Sequence, residues 1–201
     1  MEELRERIVG YAAALRADAL DWAEGRQALF RLPLLGYLLY AGVRHLLDPM
    51  YRSWFAGITL VFHEMGHIVF SLFGRTLMLL GGSIFQLTIP LAAGAYLLLR
   101  QRDYFGVTVG GAWLSYAAWE LATYVDDANK ERLGLVGFSD HPEHDWSALL
   151  TDWRLLNHCE TIAAFVRVGA FAVWAASMLL GAWLCWVMYR SRRDGASPAG
   201  M

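Results

Sequence analysis

Residues 53–73 read SWFAGITLVFHEMGHIVFSLF, an apolar stretch that contains two histidines and one glutamate. About twenty mostly apolar residues are enough for an α-helix to cross a bilayer, so the stretch predicts a transmembrane helix. His63 and His67 are four residues apart and therefore share one face of that helix. Ionisable groups inside a membrane span are costly and usually functional. We therefore expect this helix to carry the functional site.

The pattern His-Glu-x-x-His at 63–67 indicates metal chemistry. Two imidazoles at positions i and i+4 can bind one zinc ion (Zn²⁺), and Glu64 between them can act as a general base. The alternative is a chance match in which two polar histidines face a helix bundle. Three ionisable residues so close together at membrane depth argue against chance.

The composition of the whole chain agrees with a small integral membrane protein. Its 201 residues are 57% hydrophobic and only 18% charged, whereas soluble domains carry about 25% charged residues. The net charge of −2 shows no excess of basic residues of the kind that indicates nucleic-acid binding. The only two cysteines, Cys159 and Cys185, exclude a disulfide framework and a cysteine-based zinc motif.

The chain divides into three parts by composition. Residues 1–28 predict an amphipathic helix on the membrane surface, because apolar residues recur there at helical spacing between charged ones. Residues 29–189 predict one all-α, polytopic membrane domain, and residues 190–201 a disordered tail. The apolar segments of the membrane domain are 29–47, 53–73, 76–99, 104–125 and 162–189, with a polar loop over 126–160.

The number of transmembrane helices depends on residues 29–47, which include Arg31 and Arg44. If this segment does not cross, there are four spans, and the positive-inside rule puts the 126–160 loop outside the cell. If it crosses, there are five spans and the loop is cytoplasmic. We favour five, because the segment has nineteen residues and both arginines can snorkel. Both schemes leave the N-terminus in the cytoplasm.

Gly81-Gly82-Ser83 interrupts the apolar segment that follows the histidine helix. Adjacent glycines weaken a helix, so residues 73–83 can form a short re-entrant strand that binds an unwound substrate by strand addition. The equally weighted alternative is a glycine-lined contact between two helices. Gly82, Ser83 and Gln86 are accordingly candidates for substrate binding, with Gln86 as a hydrogen-bond donor to substrate or oxyanion.

The sequence resembles the site-2 protease family of intramembrane zinc metalloproteases. The resemblance rests on HEMGH (63–67) in a membrane helix, followed by LFGR (72–75) and LLGGS (79–83). It is closer to a compact bacterial branch of that group, the peptidase M50B-like proteins. Weaker similarity continues in residues 81–90, 124–128, 133–137 and 144–146. The resemblance implies an enzyme of the bacterial inner membrane that cuts membrane-embedded protein substrates, with His63 and His67 as zinc ligands and Glu64 as the base.

The resemblance also implies a core of three helices, here residues 53–73, about 84–99 and 104–127, and a third zinc ligand, an aspartate at the end of the third of them. The Asp-Gly pair usual in the family is absent there, and Asp127 is the nearest match by position. His144 in the polar loop is an alternative ligand, with Asp145 as its partner; otherwise Asp145 caps a helix and Trp146 lies at the membrane interface. Glu120 matches His67 in depth, but we expect it to hydrogen-bond to a neighbouring helix.

Two other functions are compatible with the same motif. A non-catalytic membrane module would keep the zinc site to bind or regulate a partner protein, and it would need both histidines but not Glu64. A divalent-metal transporter would need acidic residues or histidines along several spans. Few such residues occur in the other apolar segments, so the transporter is disfavoured.

Overall fold

The computed structural model describes residues 1–134 and 143–195, with only the backbone for residues 194 and 195. In these two ranges the chain forms α-helices, joined by short turns, and no β-strand. The prediction of an all-α protein is therefore confirmed for the described residues. The helices are α1 (Glu2–Ala23), α2 (Leu32–Leu47), α3 (Ala56–Phe70), α4 (Arg75–Leu99), α5 (Tyr104–Asp126), α6 (Asp145–Asp152) and α7 (Cys159–Gly195).

Within the described part of the chain, three stretches are long and apolar enough to cross a membrane: Ala56–Phe73, Arg75–Leu99 and Leu156–Arg193. These correspond to three of the predicted spans and agree with a helical membrane protein. Helix α2 is apolar but has only 16 residues, about 24 Å of helix against a hydrocarbon core of about 30 Å. Helix α5 has 23 residues but buries much of its surface inside the protein. The choice between four and five spans stays a prediction.

Helix α5 lies at the centre of the bundle, where it packs against α2, α3, α4 and α7. Its small and aromatic residues fill the interior: Ala112, Tyr116 and Ala117 have no exposed surface. The buried Tyr116 hydroxyl donates a hydrogen bond to the Leu38 carbonyl of α2, which satisfies a polar group inside the core. Helices α2, α3, α4 and α7 therefore surround α5, and α3 also packs closely against α4.

The predicted re-entrant strand over residues 73–83 is wrong. A single 3₁₀ turn at Ser71–Phe73 is followed by Gly74, whose φ of +92° favours glycine, and α4 then begins at Arg75 and continues through the two glycines. A Cβ atom on Gly66 of α3 would lie 2.1 Å from the Gly81 carbonyl oxygen. The glycines therefore serve the alternative expectation, a contact between the backbones of two helices.

The ends of the chain differ partly from expectation. Helix α7 extends to Gly195, beyond the predicted start of a disordered tail at residue 190. Residues 196–201 lie outside the described residues, as do residues 135–137 of the LGLVG segment. The predicted N-terminal helix is present as α1, where Ala19 and Ala23 are buried while residues 1–17 are exposed. Its location on a membrane surface stays a prediction.

A cysteine placed between α6 and α7 can decide the number of spans. Cys159 and Cys185 are both buried, so neither is suited to thiol labelling. Asn157 is exposed in the turn before α7, and Asn157→Cys offers an accessible thiol. With five spans, an impermeant thiol reagent should label this variant only after the cells are opened. Labelling of intact cells, above the background of the unmodified protein, would contradict five spans.

Candidate metal centre

Helix α3 presents His63 and His67 on the face that packs against α4. The Nδ1 atom of His67 lies 2.8 Å from the Met78 carbonyl oxygen, which can only accept, so Nδ1 carries the hydrogen. The Nδ1 atom of His63 lies 2.9 Å from Oε1 of Gln86, whose amide nitrogen donates to the Ala117 carbonyl at 2.8 Å. That bond fixes the orientation of the amide, so His63 also donates through Nδ1. Both Nε2 atoms of the neutral rings therefore have a free lone pair.

The Asp145 carboxylate lies opposite these two lone pairs. Its Oδ2 atom is 3.4 Å from Nε2 of His63 and 3.3 Å from Nε2 of His67. With both rings neutral, these three atoms are all acceptors, and a cation between them would remove their mutual repulsion. Ligand atoms about 2.0–2.1 Å from a tetrahedral zinc ion are about 3.3–3.4 Å apart. The two Asp145–histidine distances agree with this value, and the ligand atoms of His63, His67 and Asp145 all lie within 4.8 Å of one another, so these three residues could hold a metal ion such as zinc.

The charge state of Asp145 is suited to metal binding. Its side chain is mostly buried, and burial acts to raise its pKa. When the imidazoles of His63 and His67 are protonated on both nitrogens, their hydrogen bonds and charge interactions outweigh that effect and lower the pKa of Asp145 to about 2. Asp145 is therefore a carboxylate at neutral pH, the form that coordinates a metal.

Asp145 is positioned by α6, of which it is the first residue. The N-cap is His144, whose Nδ1 accepts a hydrogen bond from the Ser147 backbone N–H at 3.2 Å. The expectation that Asp145 caps this helix is therefore wrong, because the preceding histidine does so. This arrangement leaves the Asp145 carboxylate free to point towards α3.

Contacts on both sides of Asp145 attach α6 to α4. The indole N–H of Trp146 donates to the Ser83 hydroxyl at 3.0 Å, and Trp146 is half-buried there. At the start of α4, the Arg75 guanidinium binds Glu143 at 2.6 Å and Asp152 at 2.8 Å. These exposed ion pairs contribute little energy individually. They nevertheless join both ends of the α6 region to the helix that follows the histidines.

The structure does not bring Asp127, the predicted third ligand, into the metal group. Its carboxylate accepts hydrogen bonds from the backbone N–H groups of Arg132 and Leu133, at 2.9–3.1 Å. His144, the alternative, lies 3.7 Å from Asp127 through Nε2 and is likewise outside the group. Asp145 was singled out in the sequence only as a cap or as a partner of His144. The sequence feature that could have identified Asp145 as a ligand is an acidic residue directly after a histidine in the polar loop.

The two glutamates of the membrane region lie in different settings. Glu64 is partly buried on α3, directly after His63 in the chain. Its role as a general base stays a prediction. Glu120 is not part of the metal group, and its buried Oε1 atom has no hydrogen-bond partner among the described residues. The expected hydrogen bond from this oxygen to a neighbouring helix is therefore not found.

The three candidate substrate-binding residues all lie on α4 beside the histidines. Gln86 orients His63, and Ser83 accepts a hydrogen bond from Trp146. Gly82 lies directly against the Nε2 atoms of both histidines. Their contact with a substrate stays a prediction. Gln86 and Gly82 already lie against the histidines, and Ser83 is bonded to Trp146 of α6.

Gly82→Ala is expected to weaken zinc binding at least about tenfold, a loss typical of disturbing the surroundings of metal ligands. A Cβ atom at this position would lie 2.6 Å from Nε2 of both His63 and His67, so the rings would have to move. Gly94→Ala is the matched control in the same helix, because its Cβ would be 3.8 Å from the nearest atom. The measurement is zinc affinity by competition with a chromogenic chelator. Equal affinity in the two variants would contradict the expectation.

Comparison of the chain with models of protein families, with curated proteins and with solved structures finds no match. The resemblance to site-2 proteases therefore stays a sequence-based prediction. What bears on function is the chemistry of His63, His67 and Asp145, with Glu64 beside them.

Proposed function

We propose that this protein is an intramembrane zinc metalloprotease that hydrolyses peptide bonds of membrane-anchored protein substrates. The observation that carries the proposal is the Asp145 carboxylate, whose Oδ2 atom faces the Nε2 atoms of His63 and His67 at 3.3–3.4 Å. Two histidines and one carboxylate are a donor set found in hydrolytic zinc sites. Glu64, next to the first histidine, is placed to act as the base. The resemblance to site-2 proteases points to the same activity, and to the bacterial inner membrane with a cytoplasmic N-terminus.

Each residue has a defined task in this proposal. His63, His67 and Asp145 would hold a zinc ion, while Gln86 and the Met78 carbonyl keep the imidazoles in the correct tautomer and orientation. Bound zinc would lower the pKa of its water towards neutrality and polarise the scissile carbonyl. Glu64 accepts the proton of the attacking water and returns it to the leaving amine.

The surroundings of the site support a substrate that lies in the bilayer. The histidines and Gly82 are on α3 and α4, both of which belong to stretches apolar enough to cross a membrane. A helical substrate protects its peptide bonds with internal hydrogen bonds, so a segment must unwind before it is cut. Polar groups at Ser83 and Gln86 are available to replace those hydrogen bonds if Trp146 moves away from Ser83.

A non-catalytic zinc-binding module that binds or regulates a partner protein is the second candidate. It is supported by the occupied surroundings of the site, since Trp146 already binds the Ser83 hydroxyl and Asp145 faces both histidines. A module of this kind needs the three ligands but no base. Zinc content and cleavage, measured in both the wild type and Glu64→Gln, separate the two candidates: a protease loses cleavage in the variant, whereas a non-catalytic module binds zinc and does not cleave in either form.

A further inference from the structure

Tyr124, near the end of α5, contacts the segment that carries Asp145 in three ways. Its hydroxyl donates a hydrogen bond to Oδ2 of Asp145 at 3.2 Å. The same hydroxyl accepts a hydrogen bond from the Asp145 backbone N–H at 3.0 Å. Its ring stacks on the His144 imidazole, with 4.2 Å between ring centroids and 28° between ring planes. Both the backbone and the side chain of Asp145 are thus held by one phenol.

The oxygen that Tyr124 binds is the one that faces the histidines. Oδ2 of Asp145 lies 3.3–3.4 Å from the Nε2 atoms of His63 and His67. A carboxylate can rotate about its Cβ–Cγ bond, and a hydrogen bond to one oxygen selects one rotation. Tyr124 therefore selects the orientation in which Oδ2 points at the two imidazole lone pairs.

Asp145 needs such an anchor because it is remote from the other ligands in the chain. It follows His63 by 82 residues, and α6 has only eight residues of its own. Tyr124 lies on the most buried helix of the bundle, adjacent to fully buried Val125. It thus links the short helix with the third ligand to the most firmly packed element of the fold.

We propose that Tyr124 is a positioning residue that holds Asp145 in the geometry of a metal ligand and thereby sets the zinc affinity of the protein. This inference rests on the proposed metal site. Partners that orient metal ligands typically contribute 10–100-fold to metal affinity. Tyr124 does not touch the metal position itself in this role; it acts through Asp145.

Tyr124→Phe tests the inference, because it removes the hydroxyl and keeps the ring that stacks on His144. In full-length protein in detergent, zinc affinity should fall about 10–100-fold, measured by competition with a chromogenic chelator. Tyr116→Phe is the matched control: it makes the same change on the same helix, and its buried hydroxyl donates to the Leu38 carbonyl. Its zinc affinity should equal that of the wild type.

Two further measurements distinguish positioning from a loss of stability. The visible spectrum of bound Co²⁺ reports ligand geometry, so it should change in Tyr124→Phe and remain unchanged in Tyr116→Phe. Melting temperatures of the metal-free proteins should fall by similar amounts in the two variants. Wild-type zinc affinity and an unchanged Co²⁺ spectrum in Tyr124→Phe would overturn the inference, as would equal losses of affinity in both variants. A wild type that binds no zinc would instead overturn the metal site itself, and this role with it.

Discussion

Asp145→Ala is expected to lower zinc affinity by more than about 100-fold, beyond the 10–100-fold typical of losing an orienting partner. The reason is that it removes one of the three proposed ligands and the only charged one. Only the uncharged nitrogens of His63 and His67 would remain, so no protein ligand would balance the positive charge of the zinc ion. The measurement is zinc content of purified protein by elemental analysis, together with affinity by chelator competition.

Asp127→Ala is the matched control for Asp145→Ala. It deletes the same group from a buried aspartate, but one whose oxygens bind the backbone N–H groups of Arg132 and Leu133. Leaving such donors unpaired costs about 1–3 kcal/mol, so this variant should lose stability and keep its zinc. Zinc retained in Asp145→Ala and lost in Asp127→Ala would return the third-ligand role to Asp127. Loss in His144→Ala alone would assign it to that histidine.

Glu64→Gln is expected to abolish cleavage and to leave zinc bound. The amide has nearly the shape of the carboxylate but cannot accept the proton of the attacking water, and loss of a general base typically slows a reaction about 10²–10⁴-fold. The ligands His63, His67 and Asp145 are untouched. The measurement is the appearance of new N-termini, by mass spectrometry, in proteoliposomes that also contain a mixture of single-span membrane proteins.

Glu120→Gln is the control for that experiment, because Glu120 is a second carboxylate of the bundle that lies outside the metal group. It should cleave as the wild type does and retain zinc. Cleavage by Glu64→Gln at the wild-type rate would refute the proposed role of the base. Zinc binding without cleavage in the wild type would favour the non-catalytic module.

The features that the sequence predicted correctly are local ones. His63 and His67 are four residues apart in a helical stretch, so they share a face whatever the rest of the chain does. The long apolar segments likewise predicted helices, because backbone groups in a bilayer must satisfy their hydrogen bonds within the segment. The resulting helices, among them α3, α4 and α7, are present in the structure.

The prediction over residues 73–83 failed because glycine has two opposite effects in an apolar helix. Gly81 and Gly82 weaken an isolated helix, which suggested a strand. In the folded protein they let α4 approach α3 closely enough for the Gly81 carbonyl to contact Gly66. The gain from close helix packing outweighs the low helix propensity of glycine, and sequence spacing alone does not contain that packing energy.

The sequence by itself determined the long apolar helices, three of which could cross a membrane, and two of the candidate ligands, His63 and His67, with Glu64 between them. Only the tertiary structure decided the third. Asp145 follows His63 by 82 residues and reaches it because α6 folds back over α4, held by Tyr124 and Trp146. Periodicity relates residues a few positions apart on one helix. It says nothing about which end of a distant loop returns to that helix, since long-range packing decides this.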